Sequence, residues 1–283
     1  MTKVFIGTSG WVYEDWWGEF YPRNIKPEQR LEYYAKSFVT VELNASFYHL
    51  PHRNTFENWN KKTPDRFVFS TKLSKYITQN LKLNNAEEPL ELFLHEAAGL
   101  EKKLSVVLVQ LPPNLHANKE RLEDFLEICA EVGDQRFSSS PNPREIKVSS
   151  LPKQKDSLVP METQKSGCLP AQRPRFAFEF RHESWLDKEI YDLLRKYKAG
   201  FVMQDSAGRW PAAEVVTSEF VYLRFHGPGL LYSSNYPDKI LKEWAEKINS
   251  WLGEGLDVYA YFNNDVNAYA IQNALKLKEL TNR

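Results

Sequence analysis

Glu42 and Glu179 are acidic side chains set inside strongly apolar stretches, FVTVEL and FAFEF. Two carboxylates in such settings can divide general acid and base work if their surroundings push their proton affinities apart. The alternative is neutralisation by ion pairs, Glu42 with Lys72 and Glu179 with Arg224. His226, which follows the run VYLRF, completes the candidate catalytic set. Lys72, Arg181 and Arg224 could hold a phosphate or carboxylate, the arginines by bidentate contact. Asn44, Gln110, Asn263 and Asn264 add amides for a polar substrate, with His182 beside them, and Trp11 and Tyr48 add stacking surfaces. Glu42, Glu179, Asp205, His226 and Asp265 are hard oxygen or imidazole donors suited to a divalent cation. With no HExxH and only six His, however, no metal ligand is assigned and the cofactor is left open. Nucleophilic routes have little support. Ser9 lies in TSGW rather than a GxSxG elbow, and Cys129 falls on the apolar stripe of a helix.

These residues need elements that bring them together, and the sequence alternates strands with helices. Candidate strands are VFIG (4–7), FVTVEL (38–43), RFVFST (66–71), VVLVQL (106–111), FAFEF (176–180), FVMQ (201–204), VYLRF (221–225) and VYAYF (258–262). Their nearly continuous apolar character suits parallel strands covered on both faces. Between them, segments such as PEQRLEYYAKS, KERLEDFLEICAEV, DKEIYDLLRKYK and DKILKEWAEKINSWL space apolar residues as helices do. Asp187 stands where an N-cap belongs. Residues 206–220 are too short and broken for a full crossover helix, so an irregular connection is expected there.

Eight such units fit a (β/α)8 TIM-type barrel, with 1–283 as one domain. An open doubly wound sheet is disfavoured, since GTSGW rather than GxGxxG follows the first strand and no GxxxxGK[ST] occurs. In a barrel the C-terminal strand ends carry the chemistry, and here they hold the residues named above. Strand alternation sharpens the assignment: Tyr222, Arg224 and His226 share one face, and Val221, Leu223 and Phe225 the other. WVYEDWWGEFYP is too aromatic for a solvated loop and reads as a packed cap. Trp11, Tyr13, Trp16, Trp17, Tyr48, Trp185, Tyr232 and Tyr236 are rim candidates.

Composition narrows the partners. Lys+Arg and Asp+Glu both number 37, so no net field attracts polyanions. Two cysteines, Cys129 and Cys168, cannot build a disulfide framework, and a reducing cytoplasm is the expected location. No run approaches the ~18 to 20 apolar residues that span a bilayer, so no membrane association is expected. Residues 136–175, before the fifth strand, are rich in proline and serine and carry eight basic against three acidic residues. They read as a flexible, basic insertion within the barrel.

The motifs GTSGWVYEDWWGEFYP, FVTVELNASFYHLP, TPDRFVFSTK, QLPP, FEFRHESW, YLRFHG and YFNND, in this order from Thr8 to Asp265, resemble the YecE-like family, domain of unknown function 72. The resemblance implies an eight-unit barrel. It also implies a pocket at Glu42, Asn44, Tyr48, Lys72, Gln110, Glu179, Arg181, His182, Arg224, His226, Asn263 and Asn264, and supplies no reaction. The chain departs from the family at Ile77, Thr78 and Gln79, where Ile-Thr-His is common, and at Val266, Asn267 and Ala268, where a glycine is common. The resulting expectation is an enzyme of hydrolase, lyase or isomerase type, acting on a small polar, anionic or polyhydroxyl substrate through Glu42 and Glu179. Nucleic-acid binding or processing, suggested by the aromatic rim and basic insertion, and a non-catalytic small-ligand sensor are the alternatives.

Overall fold

Runs such as VVLVQL cannot sit at a sheet surface without exposing one apolar face, and in the computed structural model, which describes residues 2–135 and 174–281, they line up as neighbours with both faces covered. Eight parallel strands form, β1 (Val4–Thr8), β2 (Thr40–Leu43), β3 (Val68–Lys72), β4 (Leu104–Gln110), β5 (Arg175–Glu179), β6 (Gly200–Asp205), β7 (Phe220–Phe225) and β8 (Asp257–Phe262). They pair in the order β1-β8-β7-β6-β5-β4-β3-β2. Helices α1 (Arg30–Ser37), α2 (Ala45–Tyr48), α3 (Arg53–Lys61), α4 (Glu87–Ala97), α5 (Lys119–Gln135), α6 (Lys188–Lys196), α7 (Asp238–Gly253) and α8 (Tyr269–Thr281) alternate with them, which is a (β/α)8 barrel. Asp187 caps α6 by accepting from the Glu189 amide at 2.8 Å. No helix forms between β6 and β7, and this irregular connection becomes part of the site.

Alternation along the strands divides the apolar residues into two cores. The outer one packs the barrel wall against the helices, with Val221, Leu223 and Phe225 of β7 on that side. Phe225 also meets the Trp244 ring of α7 edge to face. The inner one fills the barrel with Phe5, Val106, Leu108, Ala177, Val202, Phe220, Tyr222, Tyr259 and Tyr261. Three tyrosines here keep their hydroxyls paired, as buried polar atoms require. Tyr261 bonds Thr40 Oγ1 at 2.7 Å and Ser70 Oγ at 2.8 Å, Tyr259 bonds Ser105 Oγ at 2.7 Å, and Tyr222 donates upward to Glu42.

The seam where the sheet closes is unusual. β1 and β2 lie side by side without ladder pairing among the described residues. The buried hydroxyl of Tyr34, from α1, bridges them instead, accepting from the Thr8 amide at 3.0 Å and donating to the Thr40 carbonyl at 3.1 Å. Close approach requires Gly7, since a Cβ there would lie 2.4 Å from the Thr40 oxygen.

Three expectations are corrected. Trp16, Trp185 and Tyr236 are core residues rather than rim residues. Trp16 anchors the cap WVYEDWWGEFYP against Tyr13, Phe20, Tyr21 and Tyr34, and Trp185 stacks on Phe180. A ring this large gains more from full desolvation than from a half-wet rim position. The expected insertion 136–175 lies outside the described residues up to 173, and its last residue, Arg175, opens β5 opposite Val106. Among the described residues no helix is long and apolar enough to cross a membrane.

Tyr34→Phe should remove the bridge and strand buried backbone groups at the seam. Urea unfolding is expected to show a loss of about 1–3 kcal/mol with the secondary structure retained.

Candidate functional site

Inward-facing residues at the strand ends converge on Arg224. This side chain, contributed by β7, is 1% exposed, and it binds two carboxylates. Its Nη2 and Nε donate to Glu42 Oε1 and Oε2 at 2.7 and 3.0 Å, and its Nη1 donates to Glu179 Oε2. Glu42 also accepts from Ser9 Oγ and the Tyr222 hydroxyl, each at 2.8 Å. Glu179 also accepts from Arg181 Nε at 2.7 Å, and Arg181 reaches on to Gln110 Oε1 at 2.8 Å. Burial alone would raise the Glu179 proton affinity, but Arg224 and Arg181 hold its carboxyl well below the usual range. The same carboxylates push the Arg224 guanidinium further up. The expected pair Glu179–Arg224 is therefore present. Glu42 takes Arg224 rather than Lys72, because the planar fork meets both of its oxygens.

Above this network lies a cavity of about 570 Å³. Asn44, Tyr48, Lys72, Gln110, Arg181, Arg224 and Asn263 line it. Glu42 and Glu179 lie beneath, fully buried. His226 is buried behind Asn263, whose amide donates to its Nδ1 at 3.2 Å, and its ring meets Trp210 and Tyr232 edge to face. Burial and Arg224 keep this imidazole neutral, well below its ordinary range.

Trp11, His182 and Asn264 are not brought to the cavity wall. Trp11 packs edge-on against Trp59, His182 stacks on His116 at 3.9 Å, and Asn264 joins Ser234 to Asn273 behind β8. Each lies one position off the inward parity or in a loop that turns away. The five hard donors do not converge either. Among the described residues no three His, Cys, Asp or Glu side chains are grouped to hold a cation.

Of the remaining wall residues, Tyr13 and Tyr232 are rim candidates from sequence and Asp265 a candidate cation donor, whereas Phe47 and Lys75 are not singled out there. Tyr13, Phe47, Lys75, Gln79, Tyr232 and Asp265 complete the lining, Gln79 from a π turn over Tyr76–Asn80. Trp210, from the irregular β6–β7 connection, lies 3.7 Å from the Arg181 guanidinium and holds it flat. Asp265 keeps the inward parity, two residues beyond the inward-facing Asn263. Its Oδ1 is buried without a hydrogen-bond partner. Burial pushes the proton affinity of this carboxyl well above the usual carboxylate range, against the opposing effect of the Tyr13 hydroxyl.

Lys72 is the other perturbed group. It is 8% exposed, its Nζ sits 3.9 Å over the Phe47 ring, and among the described residues no carboxylate lies within ion-pair distance. Burial and then Arg224 lower its pKa to about 7. The mouth thus presents an amine whose pKa is lowered and a carboxyl whose pKa is raised, both by burial, above an internally neutralised ion network.

An eight-stranded parallel barrel with a polar cavity at its C-terminal mouth belongs to the class of TIM-type barrel proteins. Within that class the chain belongs to the DUF72 family, whose model, described as a protein of unknown function, matches residues 5–283. YunF of Bacillus subtilis is 25% identical over 98% of this chain and 94% of its own length. YecE of Escherichia coli K12 is 28% identical over 38% of each chain. A solved DUF72 structure from Thermotoga maritima superposes with a TM-score of 0.76 at 27% identity, covering 99% of this chain and all of that one. Another from Enterococcus faecalis, at 19% identity and a TM-score of 0.74, covers 99% of this chain and 96% of its own and shares the fold.

Two outcomes are expected. Arg224→Ala should cost about 3–5 kcal/mol, because it leaves Glu179 and Glu42 buried without their cation. The deficit read by urea unfolding should be larger at pH 8 than at pH 5, where the stranded Glu179 can take up a proton. Lys72→Met should instead stabilise. The native pKa of Lys72 lies below its ordinary 10.5, so its penalty grows as pH falls from about 10 to 7 and then levels. A gain of roughly 1–3 kcal/mol at pH 7, shrinking at pH 10, is the expected reading.

Proposed function

We propose that the protein is an enzyme acting on a small anionic or polyhydroxyl substrate bound at the barrel mouth. The observation that carries this reading is the charge balance: Arg224 and Arg181 offset Glu42 and Glu179, which leaves Lys72 and Lys75 on the wall of a cavity otherwise rich in amides. A cavity of about 570 Å³ is the size of small-molecule sites. Arg181, held flat by Trp210 and oriented by Glu179 and Gln110, is suited to a carboxylate or phosphate. Asn44, Gln79 and Asn263 are suited to hydroxyl groups.

The carboxylate chemistry falls to a different residue from the pair first considered. Glu42 and Glu179 are both engaged on one guanidinium, which suits them to fixing the field rather than moving protons. Asp265 is suited to donate a proton, since burial favours its protonated form and its Oδ1, on the cavity wall, has no hydrogen-bond partner. His226 acts as a positioning residue for Asn263.

Thermal-shift and calorimetric titration with phosphorylated and carboxylated sugars and polyols tests this. At least one is expected to bind, and Arg181→Ala should weaken it about tenfold or more, near 1.4 kcal/mol. Absence of any such ligand, together with oligonucleotide binding that weakens steeply with salt, would overturn the assignment.

A further inference from the structure

Lys72 is placed at the end of β3 with its carbonyl pinned by Ser46 Oγ at 2.7 Å, so the stem starts from a fixed backbone. Phe47 covers its amine on one side at 3.9 Å, and the cavity opens on the other. The nearby carboxylates of Glu42 and Glu179 are engaged by the guanidiniums of Arg224 and Arg181, which leaves none within ion-pair distance of the amine among the described residues. A buried ammonium needs a counter-ion to justify several kcal/mol of lost hydration, and none is supplied. An amine meant only to attract anions would also be redundant beside Arg181 and the exposed Lys75. We propose that Lys72 is a nucleophile that captures the carbonyl group of a small anionic aldehyde or ketone as an imine. This rests on the small-molecule reading of the same cavity and narrows its substrate class.

The chemistry closes without an oxidant or reductant. The neutral amine attacks the carbonyl carbon, a C–N bond forms, and the carbonyl π electrons move to oxygen, which becomes a hydroxyl by taking up the proton released from nitrogen. In the second half the nitrogen lone pair forms C=N as the C–O bond breaks. The hydroxyl leaves as water with a proton from an acid, and Asp265, which lines the same cavity and whose protonated form burial favours, is suited to give it. The product is a protonated imine, one water and an Asp265 carboxylate. Hydrolysis returns the proton and the amine. Burial beside cations is the setting that makes a lysine nucleophilic near neutral pH, and the Lys72 pKa of about 7 fits that environment.

The test uses the full chain with glyoxylate and, separately, glyceraldehyde 3-phosphate, reduced by cyanoborohydride and read by peptide mass spectrometry. Lys72 is expected to carry the reduced adduct at pH 8 at least about tenfold faster than Lys75 or other exposed lysines. Its labelling rate should rise through pH 7, whereas surface lysines should respond only at much higher pH. Lys72→Arg, which keeps the cation, and Lys72→Met, which removes it, should both lose the selective adduct, and circular dichroism verifies their fold. If Lys72 is labelled no faster than Lys75 while glycolate or phosphate still binds in an Arg181-dependent manner, the imine assignment is wrong and the small-molecule reading stands. If neither labelling nor anion binding occurs, both are wrong.

Discussion

The guanidinium of Arg224 organises this protein's mouth, because two carboxylates from separate strands share it out of contact with water. Glu42 comes from β2 and Glu179 from β5, so one cation ties three positions around the barrel. Each partner taken alone would carry a desolvation cost of several kcal/mol. Together, with Ser9, Tyr222, Arg181 and Gln110 completing the hydrogen bonds, the set is neutral and rigid. Such a network adds little net stability over apolar packing, which points to a role in fixing geometry and field.

Two buried titratable groups lie above that network. Lys72 is pushed toward its neutral amine by burial and by the Arg224 charge, which Glu179 and Glu42, engaged on the guanidiniums, offset only in part. Asp265 is pushed toward its neutral carboxyl by burial, with Asp15 and Glu42 adding to the effect. An amine and a carboxyl whose charged forms burial disfavours, both lining one cavity, are stability costs that a barrel of this size can sustain. Perturbed titration in a cleft is where chemistry is expected.

Beneath the network, the barrel interior is built from tyrosines whose hydroxyls find threonine and serine partners. This filling supports the polar layer from below and places the Tyr222 hydroxyl against Glu42. The seam follows the same logic. Where β1 and β2 do not share a ladder, the Tyr34 hydroxyl satisfies Thr8 and Thr40, so the barrel closes through a side chain of α1.

Much of this is legible in the residue order. Eight apolar runs with helical spacers define the barrel, and period-two alternation puts Arg224 inward with Tyr222 and the Glu42 and Glu179 side chains on the mouth side of their strands. The order of residues also marks the weak β6–β7 connection. What it cannot contain is the distance between strands far apart in sequence. Whether Glu42 meets Lys72 or Arg224, whether Trp11, His182 and Asn264 face the cavity, and whether Trp16 and Trp185 are rim or core depend on how strands tilt and loops return. Those are properties of barrel closure, set by long-range packing. The chain by itself determined the parity of each strand and hence which residues can point inward. Only tertiary structure decided which acids share the guanidinium and which amine is left without a counter-ion, because electrostatic partnership depends on ångström-scale separations that local sequence does not encode.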